Sequence, residues 1–137
     1  MRLFVDASAA VAMLAAESDA EQLFARLEAA PERLFSAIAM WETAVALAKK
    51  RKLPVLAVLP DLRNLVALMD LRSVPTGERE AALALEAWVK YGKGSGQGAG
   101  LNLGDCFAYA CAKANDARLL YKGDDFARTD LAWTEDA

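Results

Sequence analysis

The sequence predicts an α/β domain in which a parallel sheet is covered by helices on both faces. Two observations carry this. Short apolar runs alternate with helical periods along the whole chain, the signature of strand–helix–strand crossovers. The 137 residues, 55% of them hydrophobic and 26% charged, suffice for one buried core and leave little room for a second, so residues 1–137 are read as a single domain.

The elements follow in order. Residues 2–6 form a short buried strand and residues 7–16 a helix. Residues 18–29 form a second helix with Leu23, Phe24 and Leu27 on its apolar face. A strand is expected near residues 34–36. "IAMWETAVALAKKRK" is a strong helix ending in basic residues that suit the negative end of its dipole. Residues 53–69 look helical, with Pro60 near a start or a break. "DLRSVP" reads as a strand, and "TGEREAALALEAWVKYG" as a helix with Thr76 as N-cap. In "YGKGSGQGAG" every second residue from Gly92 to Gly100 is glycine, which marks a flexible loop. It lacks the spacing and the preceding strand of a nucleotide-binding P-loop. A helix over "NLGDCFAYACAKANDA", a strand over "RLLYKG", a turn with a short helix over "DDFARTD" and a final strand and tail over "LAWTEDA" complete the chain.

Composition limits the chemistry. There is no histidine, which excludes imidazole bases and His-ligated zinc. Cys106 and Cys111 fall five apart on one helix, a poor disulfide geometry. The net charge of −3 gives no global pull toward nucleic acid, so such contact needs a local basic patch. Asp6 and Ser8 interrupt the apolar N-terminal region and argue against a secretory leader. No apolar run reaches the roughly 20 residues of a membrane span. A cytoplasmic location is the expectation.

Carboxylates are the remaining candidates for acid–base or metal work. Asp6 ends the first strand, where it can cap the next helix or hold a ligand. Glu42 has Ile38, Val45 and Ala46 as helical neighbours. Either it lies on an apolar face, or the true buried face is one position over. Asp105 stands three residues after Asn102, the spacing of a capping box. Asp124 and Asp125 follow the strand "RLLYKG" in an ordinary turn composition, and Asp130 is read as structural. Like charges about 4 Å apart repel by roughly 4 kcal/mol at an effective dielectric near 20. If the acids converge, a bound proton or a divalent cation must offset that repulsion, and all-oxygen ligands favour Mg²⁺ or Mn²⁺.

"LFVDASA", "SAIAMWETAVALAKK" and "LNLGDCFAYACAKANDARLLYKGDDFARTD", in this order, resemble the PIN-domain ribonucleases. More narrowly they resemble the VapC-type toxins of bacterial toxin–antitoxin pairs. The resemblance spans nearly the whole chain and implies a three-layer α/β/α sandwich. It implies Mg²⁺-dependent hydrolysis of RNA, with Mn²⁺ able to substitute, leaving a 5′-phosphate and a 3′-hydroxyl. Asp6, Glu42 and Asp105 match the family's first three acids. Asp124 and Asp125 are both candidates for the fourth, with Asp124 preferred. Ser8 and Thr129 match supporting polar positions. The family also implies a homodimer and a cognate antitoxin whose C-terminal segment covers the active site, in a complex that can be larger than the dimer.

Substrate contacts are expected from Lys49 and Lys50 in the "KKRK" run, and from Lys93 and Lys122 nearer the site loops, with Lys90 close by. The basic run equally serves the helix dipole and solubility. The glycine-rich loop is read as a surface insertion, with a lid over the RNA groove as the alternative. Trp41, Trp88 and Tyr91 are assigned to core packing. Two other readings stand beside the ribonuclease: a non-catalytic binding module whose acids are caps, and another metal-dependent phosphoesterase.

Overall fold

The computed structural model describes residues 1–96 and 98–135. Among these residues four strands are separated by three pairs of helices: β1 (Arg2–Val5), α1 (Ala7–Leu14), α2 (Ala20–Ala29), β2 (Glu32–Phe35), α3 (Ala37–Arg51), α4 (Val55–Leu68), β3 (Arg72–Ser73), α5 (Glu78–Tyr91), α6 (Leu103–Ala114) and β4 (Ala117–Leu120). The strands make one parallel sheet in the order β3-β2-β1-β4.

This order positions the site. The chain steps outward from β1 to β2 to β3, then returns to the far side of β1 for β4. Right-handed crossovers therefore send α1–α4 to one face and α5–α6 to the other. Packing follows: α3 lies against α1 and α4, and α5 against α6. The direction of winding reverses between β1 and β4, so a crevice opens beyond their carboxyl ends. Asp6 stands at that crevice, its amide bonded to the Leu120 carbonyl at 2.9 Å.

Near-continuous apolar strands are what a sheet covered on both faces requires. Leu3, Phe4, Val5, Leu34, Leu119 and Leu120 are all at most 1% exposed. At about 25 cal/mol per Å², side chains of this kind contribute roughly 1.5–3 kcal/mol each when fully buried.

Several element boundaries differ from expectation. β2 begins earlier, at Glu32, and Ser36 leaves the strand to cap α3, its Oγ accepting from the Ala39 amide at 3.1 Å. Strand β3 is only two residues long, at the sheet edge. Pro60 lies inside α4, which continues through it while Val58, Leu62 and Leu65 bury the opposite stripe. That burial offsets the roughly 3 kcal/mol that an interior proline costs a helix. Gly77 rather than Thr76 caps α5, its amide held by Glu80 Oε1 at 2.7 Å.

The expected final strand is absent over residues 131–135, and its last two residues lie outside the described ones. Side chains anchor that segment instead of a ladder. The Trp133 amide donates to Tyr121 Oη at 2.8 Å, and the Trp133 ring has the Arg118 and Arg26 guanidinium carbons 3.8 Å and 4.3 Å from its centroid. Cys106 and Cys111 are free and buried, as their spacing predicted. Among the described residues no helix is long and apolar enough to cross a membrane.

Candidate active site

Asp6 is the N-cap of α1 and stands at the mouth of the crevice. Its Oδ2 accepts from the Ser8 amide at 3.0 Å and from the Ser8 hydroxyl, and the Ser8 Oγ accepts from the Lys122 amide at 3.0 Å. Ser8 thus ties the end of β1 to the loop after β4. Burial raises the Asp6 carboxyl above the usual range; the Ser8 bonds oppose this and the nearby Asp125 charge adds to it.

Asp105 reaches the same crevice from the first turn of α6. The capping box is complete: Asn102 Oδ1 accepts from the Asp105 amide at 2.9 Å, and Asp105 Oδ2 accepts from the Asn102 amide at 3.1 Å. Burial pushes the Asp105 carboxyl up to about 6. The charges of Asp6 and Asp125 contribute to that rise, against the opposing Asn102 amide bond and Lys93 charge.

Glu42 arrives from α3. The most buried stripe of that helix is Ala39, Thr43 and Leu47, so the true face is one position over from the expected one. Glu42 lies half-buried on its flank, and Gly104 explains how it fits. A Cβ at position 104 would fall 1.7 Å from Glu42 Oε2 and 2.6 Å from Oε1. The carboxylate therefore occupies the volume of the side chain that Gly104 lacks. It has no hydrogen bond or ion pair among the described residues. Burial, and then the charges of Asp6 and Asp105, push it up to about 7.

The two acids after β4 differ in how they act on the crevice. Asp125 is the post-β4 acid whose charge acts on both Asp6 and Asp105; Asp124 is absent from the charges acting on either. This favours Asp125, where the sequence reading preferred Asp124. The Asp124 carbonyl accepts from the Ala127 amide at 3.1 Å and shapes the turn.

Other candidates are engaged elsewhere. Thr129 is buried, donating to the Phe126 carbonyl at 2.8 Å and accepting from the Leu131 amide at 3.1 Å, which makes it a turn staple. Lys122 pairs with Glu17 at 2.8 Å and Asp19 at 3.3 Å, and Lys50 pairs with Glu17 at 2.5 Å. Arg51 joins α3 to Asp61 at 2.7 Å and to the Leu14 carbonyl at 2.7 Å. The basic run is therefore partly a structural clamp. Lys49 and Lys93 are exposed and make no ion pair among the described residues. Asp130 is structural, held by Tyr109 at 2.6 Å and by Lys113.

Among the described residues no three acids stand close enough to ligate one ion as they are arranged. Asp6 is turned onto Ser8 and Asp105 onto Asn102. The donor set nevertheless fits a hard divalent cation. It is all oxygen, three of its carboxyls are held above their usual range, and Glu42 is desolvated with no donor among the described residues.

Gly104 is the site residue that sequence reading missed. A glycine in the first turn of a good helix costs about 1 kcal/mol relative to alanine, and that cost was the available signal.

A parallel sheet with a carboxylate crevice at its switch point defines a class, and comparison with known proteins agrees. Residues 3–131 match the PIN domain, and the chain belongs to that family. Within it the chain groups with the VapC ribonucleases. It is 43% identical over 130 residues to VapC ribonuclease Mb0640 of Mycobacterium bovis and to ribonuclease VapC30 of Mycobacterium tuberculosis, covering 95% of this chain and 96% of each relative. It is 38% identical over 139 residues to VapC ribonuclease R02377 of Rhizobium meliloti, covering 93% and 98%. The fold is similar to the crystal structure of the sarcin-ricin loop cleaving toxin VapC20 of Mycobacterium tuberculosis. The TM-score is 0.67 at 20% identity, with 91% of this chain and 92% of that one covered.

Proposed function

We propose that the chain is an endoribonuclease, the toxin of a toxin–antitoxin pair, and that Asp6, Glu42, Asp105 and Asp125 form its Mg²⁺- or Mn²⁺-dependent hydrolytic centre. The observation that carries this is Glu42: a half-buried carboxylate set into the space over Gly104, with no donor among the described residues, beside two further acids whose charges oppose its ionisation. Such an arrangement stabilises nothing by itself and becomes favourable when a cation is bound.

A divalent cation held there lowers the pKa of water toward neutrality and offsets charge on the phosphoryl oxygens. The protein's own groups do the rest. Ser8 holds the Asp6 carboxylate through two bonds and fixes the post-β4 loop through a third. The capping box locks the orientation of Asp105. Lys93, whose charge already reaches Asp105, supplies the cation that an RNA phosphate meets at the crevice. The acids, not an imidazole, take the proton released from water, which agrees with a chain lacking histidine. The products carry a 5′-phosphate and a 3′-hydroxyl.

The partners in this reading are RNA and an antitoxin protein whose terminal segment covers the crevice, acting on a homodimer in the cytoplasm. Purified protein with Mn²⁺ is expected to cut single-stranded RNA and to show a Mn²⁺-dependent rise in Tm. Asp6→Asn is expected to lose about 100-fold or more of the activity. Cleavage unaffected by chelator, or an Asp6→Asn variant as active as wild type, refutes the assignment.

A further inference from the structure

The helices α5 and α6 enclose a groove of about 520 Å³ that the acid site does not use. Its size falls within the ~300–1,000 Å³ of small-molecule sites. The walls are Leu85 and Trp88 from α5 and Leu103 and Phe107 from α6, and Lys93 and Asn102 border it. Phe107 is partly buried against the core, whereas the other three side chains are open to solvent. Leu85 and Leu103 are each 67% exposed and Trp88 is 45% exposed, contrary to the core assignment of that tryptophan.

The indole of Trp88 is built into place. A Cβ at position 92 would fall 2.6 Å from its Cε3 and 2.7 Å from its Cδ2, so the ring lies directly against Gly92. The backbone there is also fixed. Gly92 and Leu101 form a parallel bridge, the Lys93 amide donates to the Leu101 carbonyl at 3.1 Å, and the Leu101 amide to the Tyr91 carbonyl at 2.9 Å. This clamp closes the base of the glycine-rich loop and holds the end of α5 beside the start of α6.

The geometry points to this groove as the seat of an unpaired RNA base next to the scissile phosphate, stacked on Trp88. What favours a base over a protein segment is continuity with the acids. The bordering residues are the two that also adjoin Asp105: Asn102 caps its helix, and the Lys93 charge acts on it. A strand whose phosphate meets Lys93 and the acids places its neighbouring base at the groove, where an apolar π-face matches the lining. The Asn102 Oδ1 is occupied by the Asp105 amide, which leaves its NH₂ to donate to an acceptor on the base edge. Stacking tolerates any base, so this amide is the element that discriminates.

The inference rests on the ribonuclease reading, and the experiment separates the two. Trp41→Phe/Trp133→Phe leaves Trp88 as the sole indole of a chain with three tryptophans. Combined with Asp6→Asn, it is titrated with single-stranded RNA decamers while anisotropy of labelled RNA reports binding. Trp88 emission is expected to be quenched in step with binding. In the otherwise wild-type enzyme, Trp88→Ala is expected to raise KM roughly 5- to 150-fold, the range of one stacked base. Trp88→Phe is expected to recover most of that, and Asn102→Ser, which keeps a capping oxygen, to flatten the preference among A, U, C and G decamers. RNA cleaved and bound without quenching overturns the stacked base alone. Trp88 emission that changes with protein concentration and is insensitive to RNA assigns the groove to a second copy and also overturns it. RNA neither cut by wild type nor bound by Asp6→Asn overturns the ribonuclease reading and this one with it.

Discussion

Gly104→Ala isolates the role of Glu42 from that of the helix carrying Asp105. The added methyl would stand 1.7 Å from Glu42 Oε2 and 2.3 Å from its Cδ. Ordinary carbon–oxygen contact is near 3.5 Å, so the carboxylate must retreat by about 1.5–2 Å. The end of a glutamate can do so by rotating about its own bonds, and α6 need not shift. Alanine gains up to about 1 kcal/mol of helix propensity over glycine, so the variant is expected to fold with unchanged or higher Tm. Activity moves the other way. Misplacing a group by about 1 Å can cost about 100-fold, so kcat is expected to fall by at least that much, equivalent to about 2.7 kcal/mol of transition-state stabilisation. Single-turnover cleavage at saturating Mn²⁺, beside thermal melts, measures both. In a Glu42→Gln background the same substitution is expected to cost little more, because the group it displaces has already lost its charge. A Gly104→Ala enzyme with wild-type kcat refutes the placement of Glu42 in the hydrolytic centre. Equal losses in the two backgrounds refute the mechanism by which Gly104 acts.

Stability without metal should fall as pH rises. Glu42 and Asp105 are raised to about 7 and about 6 in the fold, so over this window the folded state holds protons that the unfolded chain releases. Their contribution is full below the unfolded values of 3.8 for Asp105 and 4.5 for Glu42, and is lost as pH rises through about 6 and about 7. Discounted for partial exposure, the drop is roughly 2 kcal/mol between pH 5 and 8, read by chemical denaturation in chelator. Saturating Mn²⁺ should reverse the slope, because the cation competes with those protons. Asp125→Asn is expected to lose about 100-fold in activity while Asp124→Asn stays within a few-fold, measured by cleavage kinetics; the reverse order would restore Asp124 as the fourth acid. For RNA binding by Asp6→Asn, Lys93→Met should lower the salt slope by about 0.7, the value for one single-strand phosphate contact. Lys50→Met should change it less, since Glu17 already pairs with that lysine.

Much of the candidate site was legible because its parts obey local rules. Asp6 ends an apolar strand and opens a helix, and Asn102 and Asp105 carry capping-box spacing; both are visible over a few residues, and both formed. Glu42 was visible as an anomaly, a carboxylate among apolar neighbours. Its exact face was not, since one helical position is a turn of about 100° that depends on which side meets the sheet. Lys50 and Lys122 illustrate the opposite case. Read locally they were free cations for RNA, whereas Glu17 and Asp19, far away in sequence from both, pair with them in space. The missing last strand failed for a similar reason. Residues 131–135 have strand-like composition, but side-chain contacts to Tyr121, Arg26 and Arg118 hold the segment in place of a ladder.

By itself the sequence determined the class of sheet, the direction of its strands and the restriction of candidate groups to carboxylates rather than imidazoles. Those follow from apolar runs too short for anything but buried strands, from crossover helices between them, and from the lack of any imidazole. The tertiary structure alone decided which acids border one crevice. The switch in strand order puts β1 beside β4, so residues more than a hundred positions apart share a crevice. Gly104 offers Glu42 a volume only because α3 and α6 approach there, and of the two acids after β4 it is Asp125 whose charge acts on Asp6 and Asp105. Charge interactions depend on distance in space, which no local pattern of residues contains.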